Sequence, residues 1–75
     1  MQPAVESRTV RVAINGESRF VPADQTVSSL LQWLSVTAER VAVELNKSIV
    51  RQRDWATAAV PEGSQIEIVE FVGGG

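Results

Sequence analysis

The stretch TVRVAINGESRFV, Thr9 to Val21, decides the fold. Its first six residues alternate with period two, so Val10, Val12 and Ile14 share one face of a half-buried strand. Asn15-Gly16 ends the alternation. A two-residue turn of type I′ needs positive φ at both central positions, and Asn-Gly accepts them at low cost. Glu17 to Val21 therefore returns as a second, antiparallel strand. A two-residue loop also sets the register: Ile14 faces Glu17 and Val10 faces Val21. That register turns Phe20 to the face away from the core.

Pro22 to Gln25 then connects, and Thr26 is a suitable N-cap. Val27, Leu30, Leu31 and Leu34 fall at i, i+3, i+4 and i+7, which predicts one apolar face on a helix of about three turns. Trp33 lies off that face. So short a helix does not stand alone and needs a sheet to cover. Val41 to Leu45 alternates again, with Val41, Val43 and Leu45 inward. Asn46-Lys47 makes a second turn, and Ile49-Val50 begins a short strand. Arg51 to Trp55 reads as a loop or single helical turn, with Trp55 over the core edge. Pro61-Glu62-Gly63-Ser64 is a turn, and Gln65 to Val72 is the last strand. Ile66 and Ile68 point inward there, and Glu67, Val69 and Phe71 outward. Two hairpins around one helix predict an α+β fold of two layers, a sheet of four to five strands with the helix on one face. The domain is expected over residues 9–72, after a flexible lead-in over 1–8 and before a glycine tail over 73–75.

With 75 residues the chain holds one domain. It has no cysteine and no histidine. That excludes disulfides, thiolate chemistry, the usual structural zinc site and the Ser-His and Cys-His nucleophile pairs. Seven Lys and Arg against nine Asp and Glu are scattered, so a nucleic-acid footprint is not expected. No apolar run approaches the ~20 residues that cross a bilayer. Residues 1–8 lack the apolar segment of a signal peptide, so a cytoplasmic location is expected. The small core leaves no room for a deep pocket, and no carboxylate pair or nucleophile stands out. An independent enzyme is the weakest reading.

Gly73, Gly74 and Gly75 follow the last strand directly. Glycine has the most backbone freedom to lose on ordering, so the tail is expected to be mobile in the free protein. The same residues make the slimmest thread. Three extended residues span roughly 10 Å, and with Phe71 and Val72 about 17 Å, a reasonable depth for a partner's active-site channel. Beside the tail, Val69, Phe71 and Phe20 are candidates for an apolar docking surface. Glu67 and Glu70 are placed to meet basic residues on a partner.

Val43-Glu44-Leu45-Asn46-Lys47-Ser48-Ile49-Val50, Arg53-Asp54-Trp55, Glu62 to Val69, and Phe71-Val72-Gly73-Gly74 together resemble the ThiS family. These are ubiquitin-like β-grasp sulfur carriers of thiamine biosynthesis. The Asn15-Gly16-Glu17 turn and the helix start at Thr26 to Leu31 are similar too. The resemblance covers residues 9 to 75. It implies a mixed sheet and a carrier rather than an enzyme. A ThiF-type partner would use ATP, with Mg, to adenylate the carboxylate of Gly75. A sulfur donor, such as a cysteine desulfurase system, would convert it to a thiocarboxylate. A ThiG-type thiazole synthase would receive the sulfur. Gly73 and Gly74 would thread into the partner, and Val69, Glu70, Phe71, Val72 and Phe20 would dock. No cofactor is expected on this chain, and the free protein is expected to be a monomer. Family tails end in two glycines and this one has three, so the reactive carboxyl is assigned to the last.

Related carriers offer alternatives. A MoaD-like carrier for molybdopterin, or one for cysteine synthesis, shares the fold and the terminal chemistry. The short helix and Glu70-Phe71-Val72 favour the thiamine branch, and the partner bound would decide. A ubiquitin-like modifier would form covalent conjugates in cell extract. A bare interaction module would survive loss of Gly74 and Gly75.

Overall fold

A computed structural model describes residues 8–71. Strand β1 (Thr9–Ile14) and strand β2 (Glu17–Pro22) pair antiparallel, Ile14 opposite Glu17 and Val10 opposite Val21, the register expected from the turn. Asn15 and Gly16 take φ of 51° and 86°, as a type I′ turn requires. Val12, Ile14 and Val21 are buried, and Phe20 stands on the opposite face.

Strand β3 (Gln25–Thr26) leads into helix α1 (Val27–Trp33). Thr26 is the N-cap: the Ser29 N–H donates to its Oγ1 at 3.2 Å, and its own N–H donates to Ser29 Oγ at 2.9 Å. This is a capping box with serine in the position glutamate usually holds. The next two free amides are also satisfied. Val27 N–H donates to the Ala58 carbonyl at 2.9 Å and Ser28 N–H to the Trp55 carbonyl at 3.0 Å.

The helix has 7 residues, about two turns rather than the three expected. Its C-terminus closes early. Ser35 N–H donates to the Gln32 carbonyl and Val36 N–H to the Leu31 carbonyl, both at 3.0 Å. This is a Schellman motif, and Ser35 holds the left-handed position at φ 62° that glycine normally fills. Ser35→Gly is therefore expected to stabilise the fold by about 0.5–1 kcal/mol, read as a higher denaturant midpoint. An unchanged or lower midpoint would show that Ser35 carries no strain.

The chain continues through β4 (Val41–Leu45), β5 (Ser48–Val50), a 3₁₀ turn (Gln52–Asp54), β6 (Ala59–Val60) and β7 (Gln65–Glu70). The main sheet has the order β2-β1-β7-β4-β5. β1 and β7 run parallel at its centre and the other pairs are antiparallel, so the sheet is mixed. Val27, Leu30 and Leu31 of α1 meet Val12, Val21, Val43 and Ile66 of the sheet in one core.

Three details differ from the sequence reading. Gln25 and Thr26 form a second small ladder with Val60 and Ala59 rather than a plain connector. Trp55 lies inside the core, 5% exposed, with its Nε1–H donating to the Val50 carbonyl at 2.9 Å. A buried indole needs that acceptor, and the end of β5 supplies it. Strand β7 ends at Glu70; Val72, placed in the last strand by its alternation, lies outside the described residues.

Candidate functional site

The tail leaves from the end of β7, so the site is built from what holds that end. On one side β4 accompanies β7 along its length. The pairing reaches Val41 opposite Glu70, and Phe71 N–H donates to the Arg40 carbonyl at 2.7 Å. On the other side β1 covers only the beginning, with Ala13 beside Gln65 and Ile14 beside Ile66. There β1 turns away at Asn15. The Asn15 side chain then takes over: its Oδ1 accepts from Ile68 N–H at 2.7 Å, and its Nδ2 donates to the Ile68 carbonyl at 3.2 Å. One carboxamide thus replaces one peptide group of a missing strand.

Asn15 has two jobs, the left-handed turn and this brace. Asn15→Gly keeps the first and removes the second. It is expected to lower stability by about 1–3 kcal/mol, for two lost hydrogen bonds, measured by urea unfolding. No loss would mean that the brace contributes nothing.

Alternation divides the predicted docking residues between two faces. Val69 and Phe71 lie on the face away from α1 and are 58% and 55% exposed. Glu67 shares that face. Glu70, opposite Val41, is exposed on the helix side.

Phe20 is set apart from the others. It pairs with Arg11, and the Arg11 carbonyl accepts from Gly63 N–H, before β7 begins. Phe20 therefore stands at the entry end of β7, whereas Phe71 stands at its exit. The structure does not bring Phe20 together with Val69 and Phe71 into one patch beside the tail. The Phe20 ring has an internal partner instead, the Arg11 guanidinium, 5.1 Å from its centroid. Val72, Gly73, Gly74 and Gly75 lie outside the described residues.

Sequence reasoning missed Ile49, the most exposed large apolar side chain among the described residues at 73%. It faces outward opposite Glu44, which in turn faces Glu67. The signal was present, because Val50 and Ile49 must point to opposite faces and Val50 turns inward. Trp33, 46% exposed, lies on the helix side with the Arg19 guanidinium 5.8 Å from its ring centroid.

A groove of about 380 Å³ lies on the helix side at the same corner. It opens where two elements stop, α1 before Leu34 and β1 at Ile14. Ile14, Leu34, Val36, Val41 and Ile68 line it, with Asn15, Arg19 and Glu70 among its polar groups. Among the described residues no group of three or more Asp or Glu is placed to hold a metal ion, and no helix is long and apolar enough to cross a membrane. The described part of the chain presents the end of β7 at one corner of the sheet.

A model of the ThiS family matches residues 12–75, the turn, the helix, the last strand and the glycines together. The chain belongs to the ThiS family. This ThiS-family chain is 30% identical over 66 residues to the sulfur carrier protein ThiS of Escherichia coli (strain K12), a match that covers 88% of the chain and 100% of that protein. Its structure is similar to the crystal structure of the thiamine biosynthesis protein ThiS from Geobacter metallireducens. The TM-score is 0.79 at 32% identity, over 88% of this chain and 100% of that one. The fold is thus the ubiquitin-like β-grasp, as the resemblance implied. The chain is also 46% identical over 66 residues to the thiazole synthase of Paramagnetospirillum magneticum (strain ATCC 700264 / AMB-1). That match covers 88% of the ThiS-family chain but 20% of the relative. A thiazole synthase of Magnetococcus marinus is matched to the same extent at 38% identity. The chain spans a fifth of the length of these two relatives.

Proposed function

We propose that this chain carries sulfur for thiazole formation in thiamine biosynthesis, as a thiocarboxylate on Gly75. A carboxylate is a poor acyl donor, so activation comes first. A carboxylate oxygen of Gly75 attacks the α-phosphorus of ATP on a ThiF-type partner and pyrophosphate leaves. A sulfur nucleophile, supplied through a donor such as a cysteine desulfurase system, adds to the acyl carbon. AMP leaves with the oxygen that was activated. Where the donor's sulfur arrives as a persulfide, a thiol of the partner enzymes attacks the donor-side sulfur of the acyl disulfide so formed. A partner disulfide results and the thiocarboxylate leaves, so one oxygen has been exchanged for one sulfur. A ThiG-type thiazole synthase then takes the sulfur. ATP and Mg belong to the partner, and this chain acts as a co-substrate. The reading places it in the cytoplasm, as a monomer when free.

The sheet geometry supports this division of labour. β7 delivers the chain to one corner of the sheet, and Gly73 and Gly74 offer a thread without side chains into a buried site. Val69 and Phe71 dock on the outer face and Glu70 on the helix side. Phe20, at the other end of the sheet, meets a separate part of a partner. The observation that carries the choice of pathway is the similarity to one segment of two thiazole synthases. A domain like this one is built into polypeptides named for that reaction.

A transfer assay tests the pathway. The full chain bearing a Gly75 thiocarboxylate is mixed with a ThiG-type synthase or with the large subunit of a molybdopterin-forming enzyme, each with its other substrates. Return of the chain to the carboxylate with the first partner only is expected. Return with the second only would move the chain to the MoaD-like branch.

A further inference from the structure

The backbone at the end of β7 has an open edge that the side chains do not reveal. In the ladder with β4, Gln65 and Phe71 are hydrogen-bonded positions: Asn46 N–H donates to the Gln65 carbonyl and Phe71 N–H to the Arg40 carbonyl. Alternation then turns the N–H and C=O of Ile66, Ile68 and Glu70 away from β4, toward the side of β1. The Ile66 carbonyl accepts from Asn15 N–H, and both groups of Ile68 are bound by the Asn15 side chain. Glu70 comes next, and among the described residues neither its N–H nor its C=O has a backbone or side-chain partner. The groove lined by Ile14, Leu34, Val36, Val41 and Ile68 opens beside it on the helix side.

We infer that an extended segment of the adenylating partner adds to the sheet here, as a strand in the place β1 vacates. This rests on the sulfur-carrier reading. The occupant is set by what is unsatisfied. An exposed donor and acceptor on one strand edge are matched by another strand. Successive side chains of that strand alternate between faces, so one points into the groove. The five aliphatic residues named above make an apolar side chain the fitting one, with Arg19 and Glu70 at the polar margin. Asn15 fills the last position before the docking strand and fixes where it starts.

The test uses the full ¹⁵N-labelled chain and a ThiF-type enzyme with ATP. Glu70 N–H is expected to exchange rapidly with solvent in the free protein and to be protected at least about tenfold in the complex, with a scalar coupling to a partner carbonyl. Phe71 N–H, already bonded to Arg40, serves as the reference. Glu70→Pro removes the edge donor and leaves the β4 ladder intact, whereas Glu70→Ala removes only the side chain. Loading of Gly75 is expected to be about five- to tenfold slower for Glu70→Pro than for Glu70→Ala at matched thermal stability. Loading with an unprotected Glu70 amide, or equal rates for the two variants, would overturn strand addition and leave the carrier reading standing. No loading of the wild-type chain by ThiF-type or molybdopterin-type enzymes would overturn both.

Discussion

Gly74→Val is expected to abolish loading of the chain with sulfur and to leave the folded domain unchanged. Position 74 lies outside the described residues. In the proposed mechanism this residue lines the narrow part of a partner's channel, one position before the reacting carbon. A branched side chain there adds an isopropyl group to the thread and restricts its backbone to fewer conformations. Displacing a reacting group by about 1 Å can cost on the order of a hundredfold in rate, so a fall of at least that size is expected. Thermal unfolding should match wild type within error, and the rate of ATP-dependent modification should fall at or below detection. Normal modification of the valine variant would mean that Gly74 does not pass through a close-fitting channel.

Trp55→Ala is expected to have the largest effect on stability. The indole is 5% exposed, and its N–H satisfies the Val50 carbonyl at the end of β5. The Trp55 carbonyl also accepts from Ser28 N–H at the start of α1. The side chain therefore sits where the second hairpin, the long connection and the helix meet. Loss of a buried tryptophan side chain costs roughly 3–5 kcal/mol. Small domains hold about 5–15 kcal/mol in total, and one this short belongs at the low end. The variant should be largely unfolded near physiological temperature, seen as lost dispersion of amide resonances. Trp55→Phe keeps most of the volume and loses only the N–H. It should fold, with a loss of about 1–3 kcal/mol from the unsatisfied carbonyl and the smaller ring. Native-like stability of Trp55→Ala would show that the core is organised elsewhere.

The elements and their faces were legible because they rest on local rules. Asn15-Gly16 set the first hairpin to the residue, and alternation placed Val69 and Phe71 outward before any pairing was known. Thr26 capped the helix as its residue type suggests. What escaped the sequence depends on partners far along the chain or on unusual residues. Ser35 ends the helix in a position where glycine is the usual marker, so nothing in the residue types announced the stop after two turns, and the apolar spacing through Leu34 runs one residue past the helix. The β3–β6 ladder has two residues in each strand, too few for a period to show.

The candidate site was harder to read. The separation of Phe20 from Phe71 follows from the parallel register of β1 and β7, which no local pattern encodes. The Asn15 brace joins residues 53 apart. Its side chain was read only as a turn former. The glycine tail was legible as a thread, and the strand edge beside it was not.

The most direct measurement is the intact mass of the full chain after incubation with ATP, a ThiF-type enzyme and a sulfur source, beside a chain lacking Gly75. Oxidation of Met1 adds nearly the same mass as one sulfur for one oxygen, so the shortened chain is the necessary control. The account predicts a gain of that size that requires ATP and is absent from the shortened chain. A wild-type chain unchanged with both ThiF-type and molybdopterin-type enzymes, or a gain that persists without Gly75, would contradict it.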